Sequence, residues 1–104
     1  KDTLHATIIF ADYGKKVSVN CEQKMNKVSG TTTGVITTIK GKVWSADSWI
    51  SIVADTNNVT GTNYRVQLGT TTGARYRYFA VFTEVNTTGK ILITDENCKF
   101  YFEQ

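Results

Sequence analysis

The sequence has no proline, and only one histidine and two cysteines stand among its 104 residues. A structural zinc site takes four Cys or His ligands, so these three residues cannot build one. No CxxC pair occurs, which removes a thioredoxin-like redox centre, and no GxSxG marks a nucleophile elbow. His5 therefore reads as a surface histidine in a first strand, not as a catalytic base. Leucine (3) and alanine (6) are scarce, which excludes a helix bundle, a coiled coil and a Rossmann-type domain. No apolar run approaches the ~18 residues of a membrane-spanning helix. No block of five or six like charges occurs, so nucleic acid is not expected as a partner. Without proline, sheet edges must be blunted by lysines, by bulges or by closure into a barrel.

What is present points the other way from helix. Thr occurs 17 times, Val 10 and Ile 8. Two heavy atoms on Cβ stiffen χ1 and favour a pleated, half-buried surface. With 40% hydrophobic and 12% aromatic residues the chain can fill a core, and its length suits one domain spanning residues 1–104. The formal charge is +3 and the pI is near 8.9, a mild basicity that suits an acidic glycan or surface without requiring one. Basic residues fall in pairs: Lys15-Lys16, Lys40 and Lys42, Arg75 and Arg77.

Period-two patterning places the strands. Leu4, Ala6, Ile8 and Phe10 alternate with polar positions, Asp12-Tyr13-Gly14-Lys15 reads as a turn, and Val17, Val19 and Cys21 resume the alternation, as in a hairpin. Residues 22–34 read mostly as a polar loop, and 35–45 as a strand with a bend at Gly41. Residues 49–54 form a short strand, 55–62 a loop, and 64–68 another strand. Residues 69–73 form a turn, and 75–85 is the longest strand. Two short strands, 90–94 and 99–102, flank a turn at Asp95-Glu96-Asn97. The pattern predicts a small antiparallel β-sandwich, immunoglobulin-like or jelly-roll-like, or a partly closed barrel, of seven to eight strands. Thr-Gly pairs at 33–34, 60–61, 72–73 and 88–89 are expected to supply left-handed turn positions. An immunoglobulin domain proper fits poorly, because Glu96 stands where a tyrosine precedes the second cysteine.

Cys21 and Cys98 lie 77 residues apart and are expected to form one disulfide. Such a bond implies a secreted or extracellular protein, with periplasm or cell surface as variants of that address. The chain opens Lys1-Asp2-Thr3-Leu4, without initiator methionine or signal-peptide apolar region, as expected once a leader is removed. Asn58-Val59-Thr60 and Asn86-Thr87-Thr88 are glycosylation sequons only in a eukaryotic source.

Candidate chemistry is sparse. The acidic residues are scattered, mostly at turn positions, and do not suggest a catalytic carboxylate pair. Asp55-Thr56-Asn57-Asn58 and Asp95-Glu96-Asn97 are oxygen-rich but lack calcium-loop spacing, and are expected to be solvated turns. The pentapeptide GTTTG occurs twice, at 30–34 and 69–73, without the Lys-Ser/Thr ending of a phosphate-binding loop. No metal or cofactor is expected, and no enzymatic activity. The aromatics carry the functional reading. Tyr64, Tyr76 and Tyr78, with Arg75 and Arg77 interleaved, together with Trp44 and Trp49, form the expected ligand-binding set. In layout the chain resembles small secreted β-domains such as adhesin and pilin domains, carbohydrate-binding modules and toxin receptor-binding subunits, without sharing a motif with any of them. The expectation is a non-catalytic secreted domain that recognises a glycan or a host cell-surface protein. The alternative is an effector, toxin or inhibitor that docks on a protein target.

Overall fold

The computed structural model describes residues 4–10, 16–72, 76–85 and 87–103. Seven strands run through them: β1 (Leu4–Phe10), β2 (Lys16–Ser29), β3 (Val35–Lys42), β4 (Ile50–Asn57), β5 (Tyr64–Thr72), β6 (Tyr78–Val85) and β7 (Lys90–Glu103). They form two antiparallel sheets, one in the order β1-β6-β3-β4 and one in the order β5-β2-β7. The arrangement is the expected all-β sandwich and not a closed barrel. The β2–β5 and β3–β6 pairs match the immunoglobulin plan, but the first, fourth and last strands stand on opposite sheets from those they occupy there.

Alternation fixes which faces meet. Val17, Val19, Cys21, Gln23 and Met25 of β2 are buried in sequence, as are Val35, Thr37 and Ile39 of β3 and Phe79, Val81, Thr83 and Val85 of β6. These inward rows build two apolar clusters. One gathers Val17, Val19, Cys21, Ile39, Phe79 and Val81, and the other Met25, Val35, Val59, Val66 and Val85. Each large aliphatic or aromatic side chain taken from water contributes about 1.5–3 kcal/mol. A polar belt separates the clusters. Gln23 Nε2 donates to Thr83 Oγ1 at 2.9 Å and to Glu96 Oε2 at 2.6 Å, and the Thr37 and Thr83 hydroxyls lie 3.3 and 3.1 Å from its Oε1. One side chain thus ties β2 and β7 of one sheet to β3 and β6 of the other. Cys21 and Cys98 face each other in register on β2 and β7 and form the expected disulfide.

Several local expectations are corrected. The first two strands are not a hairpin: β1 pairs with β6, and β2 has both neighbours taken by β5 and β7. Alternation alone cannot separate the two cases, since a hairpin and a crossover between sheets both leave one face inward. The expected turn at 12–15 lies outside the described residues. The expected loop over 22–34 is strand as far as Ser29, because Gln23 occupies a core position and its polarity masks the period. Asp55–Asn57 belong to β4, and Asp95–Asn97 belong to β7, so the last two expected strands are one. The register between β2 and β7 shifts at Lys24/Met25, with Thr94 as the extra residue on β7, and this bulge absorbs the polar segment.

The two GTTTG segments differ. Gly30 has φ +74° and leaves β2, whereas Gly69–Thr72 is strand, paired with Val17–Asn20. The neighbours decide, since an unpaired β2 edge is available to the second segment. Of the four Thr-Gly pairs, only Gly61 adopts a left-handed φ among the described residues, at +68°. Gly73 lies outside them.

Candidate aromatic and cationic binding face

Two neighbouring strands and one loop carry the site. On β3 the inward residues are Val35, Thr37 and Ile39, so Lys40 and Lys42 face outward. On β6 the outward partners in register are Ala80 opposite Lys40 and Tyr78 opposite Lys42. Ala80 is small and fully buried, and Phe82 continues the outward row. The ladder extends one residue beyond β6, where Arg77 N donates to Lys42 O at 3.0 Å. The loop after β3 then folds back on this face. Asp47 closes it twice: its N–H donates to Trp44 O at 3.0 Å, and its Oδ2 accepts from Trp44 N–H at 3.0 Å. Asp side chains commonly close turns in this way.

The result is a row of rings and cations. Trp49 meets Phe82 edge to face, with centroids 5.7 Å apart and planes at 72°. Lys42 Nζ sits 4.3 Å from the Trp49 centroid and 5.8 Å from that of Tyr78, and it donates to Ser45 O at 2.8 Å. Lys40 Nζ stands 4.7 Å from the Phe82 centroid. Arg77 Cζ stands 5.7 Å from the ring of Trp44, which is 58% exposed. A cation over an indole gains about 0.5–1 kcal/mol at an exposed site. That gain orients side chains which would otherwise sample many rotamers, and less entropy is lost when a ligand arrives.

The sequence-predicted set divides. Trp44, Trp49, Arg77 and Tyr78 come together on this face. Tyr76 does not join them: it packs inward against the first apolar cluster, edge to face with Phe79 at 5.8 Å, and against Gly41. The strand expected over 75–85 would put Tyr76 and Tyr78 on one face, but β6 begins at Tyr78, so residues 76 and 77 do not follow its pleat. Tyr64 lies on β5 of the other sheet, packs against the second cluster and donates to Asn57 Oδ1 at 3.2 Å. Arg75 lies outside the described residues. Lys40, Lys42 and Phe82 belong to the face although sequence reasoning did not select them. The Lys-Gly-Lys spacing was the available signal, since residues two apart share a face.

Among the described residues no group of three or more His, Cys, Asp or Glu side chains is placed to hold a metal ion, and no helix is long and apolar enough to cross a membrane. The disulfide is compatible with an extracellular location. No protein-family model, no curated protein and no solved structure matches the chain, so the geometry of this face carries the functional reading.

Proposed function

We propose that the protein is a secreted, non-catalytic binding domain whose ligand is a glycan bearing acidic groups, held on the outer face of the β1-β6-β3-β4 sheet. The observation that carries this reading is the exposed Trp44 ring beside Arg77, with Lys42 and Trp49 on the same face. Sugar rings present apolar C–H faces that stack on indoles, and their carboxylate or sulfate groups pair with guanidinium and ammonium. Three cations, Lys40, Lys42 and Arg77, converge there, and the nearby Asp47 is engaged in closing its own loop. These groups hold a ligand; nothing in the reading assigns them a chemical step. Adhesin-like or carbohydrate-binding roles fit this surface.

The test is a glycan array that compares neutral, carboxylated and sulfated oligosaccharides of matched length, probed with the native protein and with Trp44→Ala. Retention of acidic glycans by the native protein, with loss in the variant, supports the reading. Equal retention by both proteins, or retention of neutral glycans only, contradicts it.

A further inference from the structure

β7 is the outermost strand of its sheet. It pairs with β2 along one edge, and no described strand pairs along the other. At 14 residues it is, with β2, the longest strand among the described residues, and it carries no proline. Exposed edges of this length are templates for pairing with another chain unless they are blunted. Asp95, Lys99 and the bulge at Thr94 blunt it only in part, because large apolar side chains stand exposed along the same strand. Glu96 and Cys98 stand opposite the buried Gln23 and Cys21, so Asn97, Lys99 and Tyr101 face away from the core. Beyond the bulge at Thr94, Ile93 stands opposite the buried Met25, so Leu92 also faces outward. Leu92 and Tyr101 are each 54% exposed.

We infer that this edge pairs antiparallel with the same edge of a second copy of the chain, about a two-fold axis at Asn97, joining two three-stranded sheets into one six-stranded sheet. The register follows from the strand itself. Counting outward from Asn97 places Asp95 opposite Lys99 of the second copy. With Thr94 as the extra residue, Leu92 then falls opposite Tyr101. Each of these pairs joins residues from the same face, and the two-fold axis makes each pair twice. The bulge is what keeps the faces in phase on both sides of the axis. Opposite charges and aromatic–aliphatic pairs directly across strands are favourable, and like charges there are unfavourable. Moving the axis by two residues to Lys99 sets that lysine against itself, and moving it to Asp95 sets that aspartate against itself. The Asn97 register is the one of these three that matches charge.

A second feature lies along the same side. A cavity of about 520 Å³ is lined by Val85 and Thr83 of β6 and by Ile91 and Ile93 of β7. Ile91 and Ile93 lie on the strand that the second copy meets, so the cavity opens beside the inferred seam. This surface is separate from the aromatic and cationic face, so the two readings stand or fall independently.

Sedimentation velocity on the disulfide-intact protein, from micromolar to about 1 mM, tests the inference, since even a millimolar dimer is populated at the upper limit. The native chain is expected to shift from monomer to dimer. Asp95→Lys sets lysine against Lys99 and is expected to weaken the dimer about tenfold or more. Adding Lys99→Asp to that variant restores the opposite-charge pair and is expected to restore dimerisation. Both positions are exposed, and circular dichroism with the disulfide intact confirms that each variant folds. A native chain that stays monomeric throughout overturns the inference. So does a dimer indifferent to Asp95→Lys, or one that the charge swap fails to restore.

Discussion

Gln23 of β2 and Thr83 of β6 lie 60 residues apart in the chain and meet in the middle of the sandwich, with Gln23 Nε2 2.9 Å from Thr83 Oγ1. The pair bridges the two sheets at the point where one apolar cluster ends and the other begins. A buried amide is costly unless its donors and acceptor are satisfied, and here Thr37, Thr83 and Glu96 satisfy them. A sheet slipped by one residue would carry Gln23 out of reach of these partners, so the belt opposes that slip. Gln23→Leu keeps the volume but strands the polar partners, and is expected to cost about 2–4 kcal/mol. Urea unfolding measures it, and a change near zero would show that the belt contributes nothing net.

The disulfide supplies a second prediction. Cys21 and Cys98 close a 77-residue separation, and the chain-entropy argument gives about 4–5 kcal/mol for a loop of that length. Cys21→Ala combined with Cys98→Ala is expected to lower stability by a comparable amount in chemical denaturation. Intact mass is expected to show two alkyl additions only after reduction. Two free thiols in the native protein would contradict both the bond and the extracellular reading.

The repeated pentapeptide gives a third. Gly30 has a left-handed φ, and a Cβ there would stand 2.9 Å from the backbone oxygen of Thr88. Gly69 lies in a strand, where the obstacle is the Asn20 side chain, which is exposed and able to turn aside. Gly30→Ala is expected to cost about 1–3 kcal/mol, and Gly69→Ala well under half of that. Thermal melts of the two variants read the difference, and equal losses would contradict it.

The same contrast shows what a sequence can and cannot disclose. Branched residues and period-two runs announce strands, and the two cysteines announce a disulfide, because both signals are local or few. Pairing is not local. Nothing in the sequence of β1 says that it joins β6 and not β2. Nothing in Asp95-Glu96-Asn97 says strand in place of turn, since pairing with Lys24, Gln23 and Glu22 decides it. The candidate site was half legible for the same reason. Trp44, Trp49, Arg77 and Tyr78 were chosen by type, whereas Lys42 joins them only because β3 lies beside β6. The sequence groups Tyr76 with Tyr78 on an alternation that in the fold begins only at Tyr78.

Tyr76 and Trp44 therefore part company in a fourth prediction. Tyr76 packs on Phe79 and the first cluster, so Tyr76→Ala is expected to cost about 2–3 kcal/mol of stability. Trp44 is exposed, and Trp44→Ala is expected to change stability by less than about 0.5 kcal/mol. Denaturant titrations of both variants decide it; the reverse order would place Trp44 in the scaffold.

The binding reading is tested most directly by titrating the isotope-labelled protein with a sulfated oligosaccharide and following its two indole N–H resonances. The account predicts that the Trp44 resonance and the backbone amides of Lys42 and Arg77 move together in a saturable way. The shifts should shrink as salt is raised, because salt screens the attraction between these cations and the sulfate groups. Saturable shifts confined to β5 or β7, with Trp44 and Arg77 unmoved, would contradict it.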